Sequence, residues 1–161
     1  MKNLLISLIV LVVFNCNQSD TKAIKMKNEN QPNFLNLYTN LMVDDVGQSI
    51  EFYEKIGFKV SQKLPDSSPV WALVEKDNVK LMFQSTKSLQ EEFSQLRNKK
   101  VGGTITLWIQ VKNIESYYQL LKGKVEVIKP IGITSYNKAT EFVIMDINGY
   151  LLHFSDLALE G

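Results

Sequence analysis

The chain has 161 residues, enough for one ordinary domain, and 45% of them are hydrophobic, so most of it is expected to fold. Lys plus Arg is 18 and Asp plus Glu is 17, which gives no basic excess for a nucleic-acid partner. One cysteine excludes an intrachain disulfide framework, and one histidine excludes a His-rich metal site.

In chain order, Lys2 is a short positive start and Leu4 to Phe14 is an apolar run broken only by Ser7. A membrane-spanning helix needs about 20 apolar residues, so the run has the length of a signal-peptide core instead. Cys16 follows directly, and the segment resembles a bacterial lipoprotein signal in which that cysteine becomes the lipidated first residue. An uncleaved anchor, or an ordinary signal peptide with an incidental cysteine, is the alternative. On this reading residues 1–15 are the signal peptide. Residues 16–34, polar and without periodicity, are a lipidated N-terminus and tether, and residues 35–161 are the folded domain.

From Phe34 the pattern turns regular. Leu37, Leu41 and Val43 alternate with Tyr38, Asn40 and Met42, as in a half-buried strand. Asp45 is placed to cap a helix, with Gln48 three residues on. The helix sends Val46, Ile50, Phe52 and Tyr53 to a core and stops at Gly57. Strand-like runs follow at 58–62, 70–75 and 79–84, the last two joined by Asp77-Asn78. A connecting helix is expected over 88–97, with Leu89, Phe93 and Leu96 on one side.

The order then returns. Ile105, Leu107, Ile109 and Val111 alternate with Thr106, Trp108 and Gln110, and Asn113 holds the position of Asp45. A helix carries Ile114, Tyr117, Tyr118, Leu120 and Leu121 and ends near Gly123. Strand runs follow at 124–128, 141–145 and 150–155, with Asn148-Gly149 as a hairpin turn. The string VKLMFQS at 79–85 aligns with YLLHFSD at 150–156. The prediction is an α+β fold of two βαβββ repeats, about 35–85 and 103–157, forming a curved mixed sheet around a shared cavity with helices outside. Neither half can bury its own sheet, so each needs the other. The polar and aromatic strand faces, with Tyr38, Asn40, Met42, Thr106, Trp108 and Gln110, are expected to line the cavity.

This plan resembles the vicinal-oxygen-chelate superfamily of glyoxalases, extradiol dioxygenases and bleomycin-resistance proteins. The likeness rests on LMVDDVGQSIEFYEKIGF, VKLMFQS and EFVIMDINGYLLHFSD, and the last string is most similar to the bleomycin-resistance branch. Enzymes of the superfamily hold a divalent metal on the first and last strands of each repeat. The resemblance maps those four positions onto Tyr38, Met82, Thr106 and His153. Only His153 is a good donor for such a metal, so neither a metal nor another cofactor is expected. Ligand binding is the leading reading, with Tyr38, Asn40, Trp71, Met82, Thr106, Trp108, Tyr136 and His153 as candidate ligand-binding residues and an aromatic or heterocyclic molecule as the ligand. The resemblance also implies a homodimer. The alternatives are a metal-dependent lyase or dioxygenase with shifted ligands, and a protein-interaction module with a vestigial cavity. No residue is assigned a catalytic role. Residues 35–161 carry 14 basic and 15 acidic side chains, too balanced for the acidic groove that takes up cationic antibiotics.

Overall fold

The computed structural model describes residues 35–103 and 105–158. The proposed signal peptide, Cys16 and the tether lie outside them. Among the described residues no helix is long and apolar enough to cross a membrane.

The first repeat runs β1 (Thr39–Val43), α1 (Val46–Lys55), β2 (Lys59–Leu64), β3 (Trp71–Lys76) and β4 (Val79–Ser85). A short helix α2 (Thr86–Glu92) and a 3-10 turn (Ser94–Leu96) lead to the second repeat. It runs β5 (Thr106–Gln110), α3 (Ile114–Leu121), β6 (Glu126–Ile133), β7 (Thr140–Met145) and β8 (Leu151–Ser155). Each repeat forms a four-stranded sheet, in the orders β1-β4-β3-β2 and β5-β8-β7-β6. The first and last strands pair in parallel and the others antiparallel.

Strand alternation sorts the side chains. Leu41, Val43, Ala72, Val74, Leu81 and Phe83 lie on one face of the first sheet, and Leu107, Ile109, Phe142, Ile144, Leu152 and Phe154 on one face of the second. All are buried, and with Val46, Ile50, Tyr53, Ile114, Tyr118 and Leu121 from the helices they make one core spanning both repeats. Phe142 and Phe154 stack with ring centroids 4.8 Å apart.

The α1 boundaries follow local chemistry. The Asp45 carboxylate accepts from Gln48 N at 2.8 Å, which satisfies an otherwise unpaired helix-start donor. At the far end Gly57 takes φ +92, and a Cβ there would meet Lys76 Nζ at 2.8 Å.

Several local expectations are corrected. Leu37 is 92% exposed, because β1 begins only at Thr39 and Leu37 has no sheet partner to place it over the core. Asn113 does not cap α3 as Asp45 caps α1. It sits in the left-handed region at φ 55 with no side-chain cap bond. The connecting helix is shorter than expected, and its break at Phe93 leaves that ring exposed. Leu120 is also exposed, on the outer side of α3. Strand β6 extends to Ile133, past the expected end.

Candidate functional site

The face of the second sheet opposite the core carries the polar groups. Trp108 pairs with His153 and Gln110 with Ser155 across β5 and β8, while Glu141 pairs with Ser155 across β7 and β8. The period of two therefore sets Trp108, His153, Ser155 and Glu141 on one face. His153 Nε2 lies 3.0 Å from Glu141 Oε2, and Lys129 Nζ lies 3.5 Å from the same oxygen. Ser155 Oγ donates to Glu141 Oε1 at 3.2 Å. Glu141 is only 1% exposed. Burial on its own would raise its carboxyl pKa. The His153 imidazole beside it, with Ser155 and Lys129, outweighs that and holds it below the usual range.

The equivalent face of the first sheet carries an amide network and, further along, the Lys80–Glu75 ion pair at 3.2 Å. Asn40 Nδ2 donates to Gln84 Oε1 at 2.9 Å, and Gln84 Nε2 donates to Ser88 Oγ at 3.0 Å and Glu92 Oε2 at 2.9 Å. Trp71 pairs with Gln84, and Leu73 with Met82. Trp71, Leu73 and Met82 are half-buried, and Tyr38, just before β1, is exposed.

The candidate residues thus fall into groups. Thr106 and Trp108 line a groove of about 390 Å³ with Thr39 and the start of β4, so both repeats contribute to it. His153 adjoins Trp108 on the same face. Tyr38, Asn40, Trp71 and Met82 belong to the first sheet, and among the described residues no hydrogen bond joins them to the second set. Tyr136 is 75% exposed on the loop between β6 and β7. Glu141 was not among the residues singled out from the sequence. Its only signal there is a carboxylate inside an apolar run, Glu141-Phe142-Val143-Ile144, on the face away from the core.

The four positions at which the fold's enzymes hold a metal do not fit one here. A phenol, a thioether, a hydroxyl and one imidazole are a poor donor set for a divalent ion, and the imidazole Nε2 already faces Glu141. Among the described residues no three His, Cys, Asp or Glu side chains converge.

Two βαβββ repeats, each with its first and last strands paired in parallel, define the class. The chain belongs to the Glyoxalase/Bleomycin resistance protein/Dioxygenase superfamily, whose family pattern matches residues 36–154. No match is found among curated proteins. Similar solved structures include a glyoxalase/bleomycin resistance protein/dioxygenase from Nocardioides, with 18% identity and a TM-score of 0.65, covering 83% of this chain and 89% of that one. A bleomycin-binding protein from bleomycin-producing Streptomyces verticillus, complexed with copper(II)-bleomycin, has 18% identity and a TM-score of 0.57 over 80% of this chain and all of its own. A protein of unknown function from Agrobacterium tumefaciens has 17% identity and a TM-score of 0.66, over 81% and 100%. At these identities the likeness is one of fold.

Proposed function

We propose that the domain is a small-molecule-binding protein of the glyoxalase/bleomycin-resistance type. It works without a catalytic metal and is tethered outside the cytoplasm of a bacterial cell by a lipid on Cys16. The observation that carries the binding reading is Trp108. Trp108 is 36% exposed beside His153 and is among the residues lining a groove to which both repeats contribute. An indole left partly open in a concavity is a platform for a flat ligand, aromatic or heterocyclic. The bleomycin-binding neighbour supports a ligand of that general kind. The donor set described above supports binding over metal chemistry.

A homodimer belongs to the same reading. Leu64 is 63% exposed, and it shares the open face of the first sheet with the half-buried Trp71, Leu73 and Met82. Helix α2 packs on the Gln84 end of that face, and a second copy would cover the part that leaves Leu64 exposed.

Thermal-shift screening of aromatic and heterocyclic compounds, bleomycin included, tests the binding reading. A hit should be weakened by Trp108→Ala by about 1–3 kcal/mol, the cost of losing one stacking platform. Lys63→Ala, in β2, should change little. A hit that binds Trp108→Ala as tightly as the wild type, or a screen without hits, overturns the reading.

A further inference from the structure

Each repeat presses the turn between its last two strands against the first strand and helix of the other repeat, but the two joints are filled differently. At the joint made by the β7–β8 turn, Asp146 Oδ2 accepts from Tyr53 OH at 3.1 Å, and Asn148 Nδ2 donates to Ser49 Oγ at 3.0 Å. Tyr150 is buried there, and its hydroxyl donates to the Met42 carbonyl at 2.9 Å. At the joint made by the β3–β4 turn, Lys76 Nζ lies 5.5 Å from the centre of the Tyr117 ring, and Tyr117 OH donates to the Ile56 carbonyl at 2.8 Å.

The alignment of VKLMFQS on YLLHFSD puts Val79 in the place of Tyr150. The alignment of the first strands puts Gln110 in the place of Met42. The second joint therefore has no ring in the place of Tyr150, and a cavity of about 520 Å³ opens there beside Tyr117. Phe58, Val79, Ile109, Gln110, Tyr117 and Phe154 line it. Volumes of roughly 300–1,000 Å³ are usual for small-molecule sites. The backbone also supplies an acceptor. Val111 N donates to Ser155 O at 2.8 Å, so along the parallel pair the neighbouring Gln110 turns its carbonyl to the other edge of β5. That edge is the outer one of its sheet.

The geometry points to this cavity as a binding site for a small phenol, whose ring takes the place of the absent tyrosine and whose hydroxyl donates to the Gln110 carbonyl. The cavity adjoins the Trp108 groove through Val79 and Ile109 but opens on the other side of the sheet, because Ile109 and Phe154 project to the core side and Trp108 and His153 away from it. The internal repeat acts as the template. Tyr150 shows what ring and what hydrogen bond the equivalent space accepts.

Calorimetric titration of the full chain with p-cresol, the tyrosine side chain as a free molecule, tests the proposal. Saturable binding at one equivalent is expected. Toluene, which cannot donate to the carbonyl, should bind about five-fold more weakly. Val79→Tyr puts a ring in the place that Tyr150 takes in the counterpart joint, and should weaken p-cresol by about ten-fold or more, since two rings cannot share that place. Should Val79→Tyr fail to fold, Ser116→Trp, at an exposed position on the rim, should give the same loss. Trp108→Ala should leave p-cresol binding unchanged. Absence of binding, equal binding of toluene, indifference to both blocking variants, or loss on Trp108→Ala would each overturn the proposal, and only the last would transfer the ligand to the open-face site.

Discussion

The imidazole of His153 and the buried carboxylate of Glu141 face each other across β7 and β8, with Nε2 and Oε2 3.0 Å apart. The pair makes an otherwise costly burial tolerable. A carboxylate at 1% exposure needs partners, and His153, Ser155 and Lys129 supply them from the same sheet.

That arrangement sets a pH dependence. The Glu141 pKa is lower folded than unfolded, so the contribution from its ionisation is present above the ordinary glutamate value of about 4.3. It is lost as pH falls through the lower folded value. Glu141→Gln should therefore flatten the acid limb of a melting-temperature profile. A limb as steep as the wild type's would assign the acid sensitivity to other carboxylates.

The repeats are joined by two buried tyrosine hydroxyls. Tyr53 donates to Asp146 and Tyr150 to the Met42 carbonyl. Tyr53→Phe leaves Asp146 Oδ2 without that donor, and Tyr150→Phe leaves a carbonyl without its own. Each should cost about 1–2 kcal/mol by urea unfolding. The transition should stay single, because one core spans both halves.

Elemental analysis of the purified chain should give no stoichiometric zinc, iron, manganese or nickel. A tightly bound equivalent that disappears in His153→Ala would restore a metal-dependent lyase or dioxygenase with shifted ligands.

Fatty-acid probe labelling in cells should tag the wild type and spare Cys16→Ser. Each buried CH₂ of a lipid chain contributes about 0.8 kcal/mol, so two or three chains would hold the domain at a membrane. Equal labelling of both forms, or full solubility without detergent, would remove the tether from the proposed function.

Sedimentation of the protein is expected to show twice the chain mass at micromolar concentration. Leu64→Lys, on the open face of the first sheet, should shift it toward the monomer with little change in melting temperature, since Leu64 is outside the core. A wild type that is already a monomer would leave that face without the proposed partner.

Much of the fold was legible in local pattern. Alternation at Leu41 and Val43, and at Leu107 and Ile109, names the buried faces, because side chains on a strand alternate whatever lies beyond the sheet. The same period places Trp108 and His153 on the opposite face. Asp45 and Gly57 mark the ends of α1 through bonds that close within a few residues. Contacts between distant segments were not legible. Leu37 reads as core until β1 is seen to start after it, and nothing along the chain marks Glu141 until His153, Lys129 and Ser155 are folded against it. The sequence alone determined the repeat, its order of elements and the facing of the first strand in each repeat, since these depend on neighbours along the chain. Only the tertiary structure decided that Tyr150 fills one joint while Val79 leaves the other open, since that depends on how a turn in one repeat meets a strand and helix in the other.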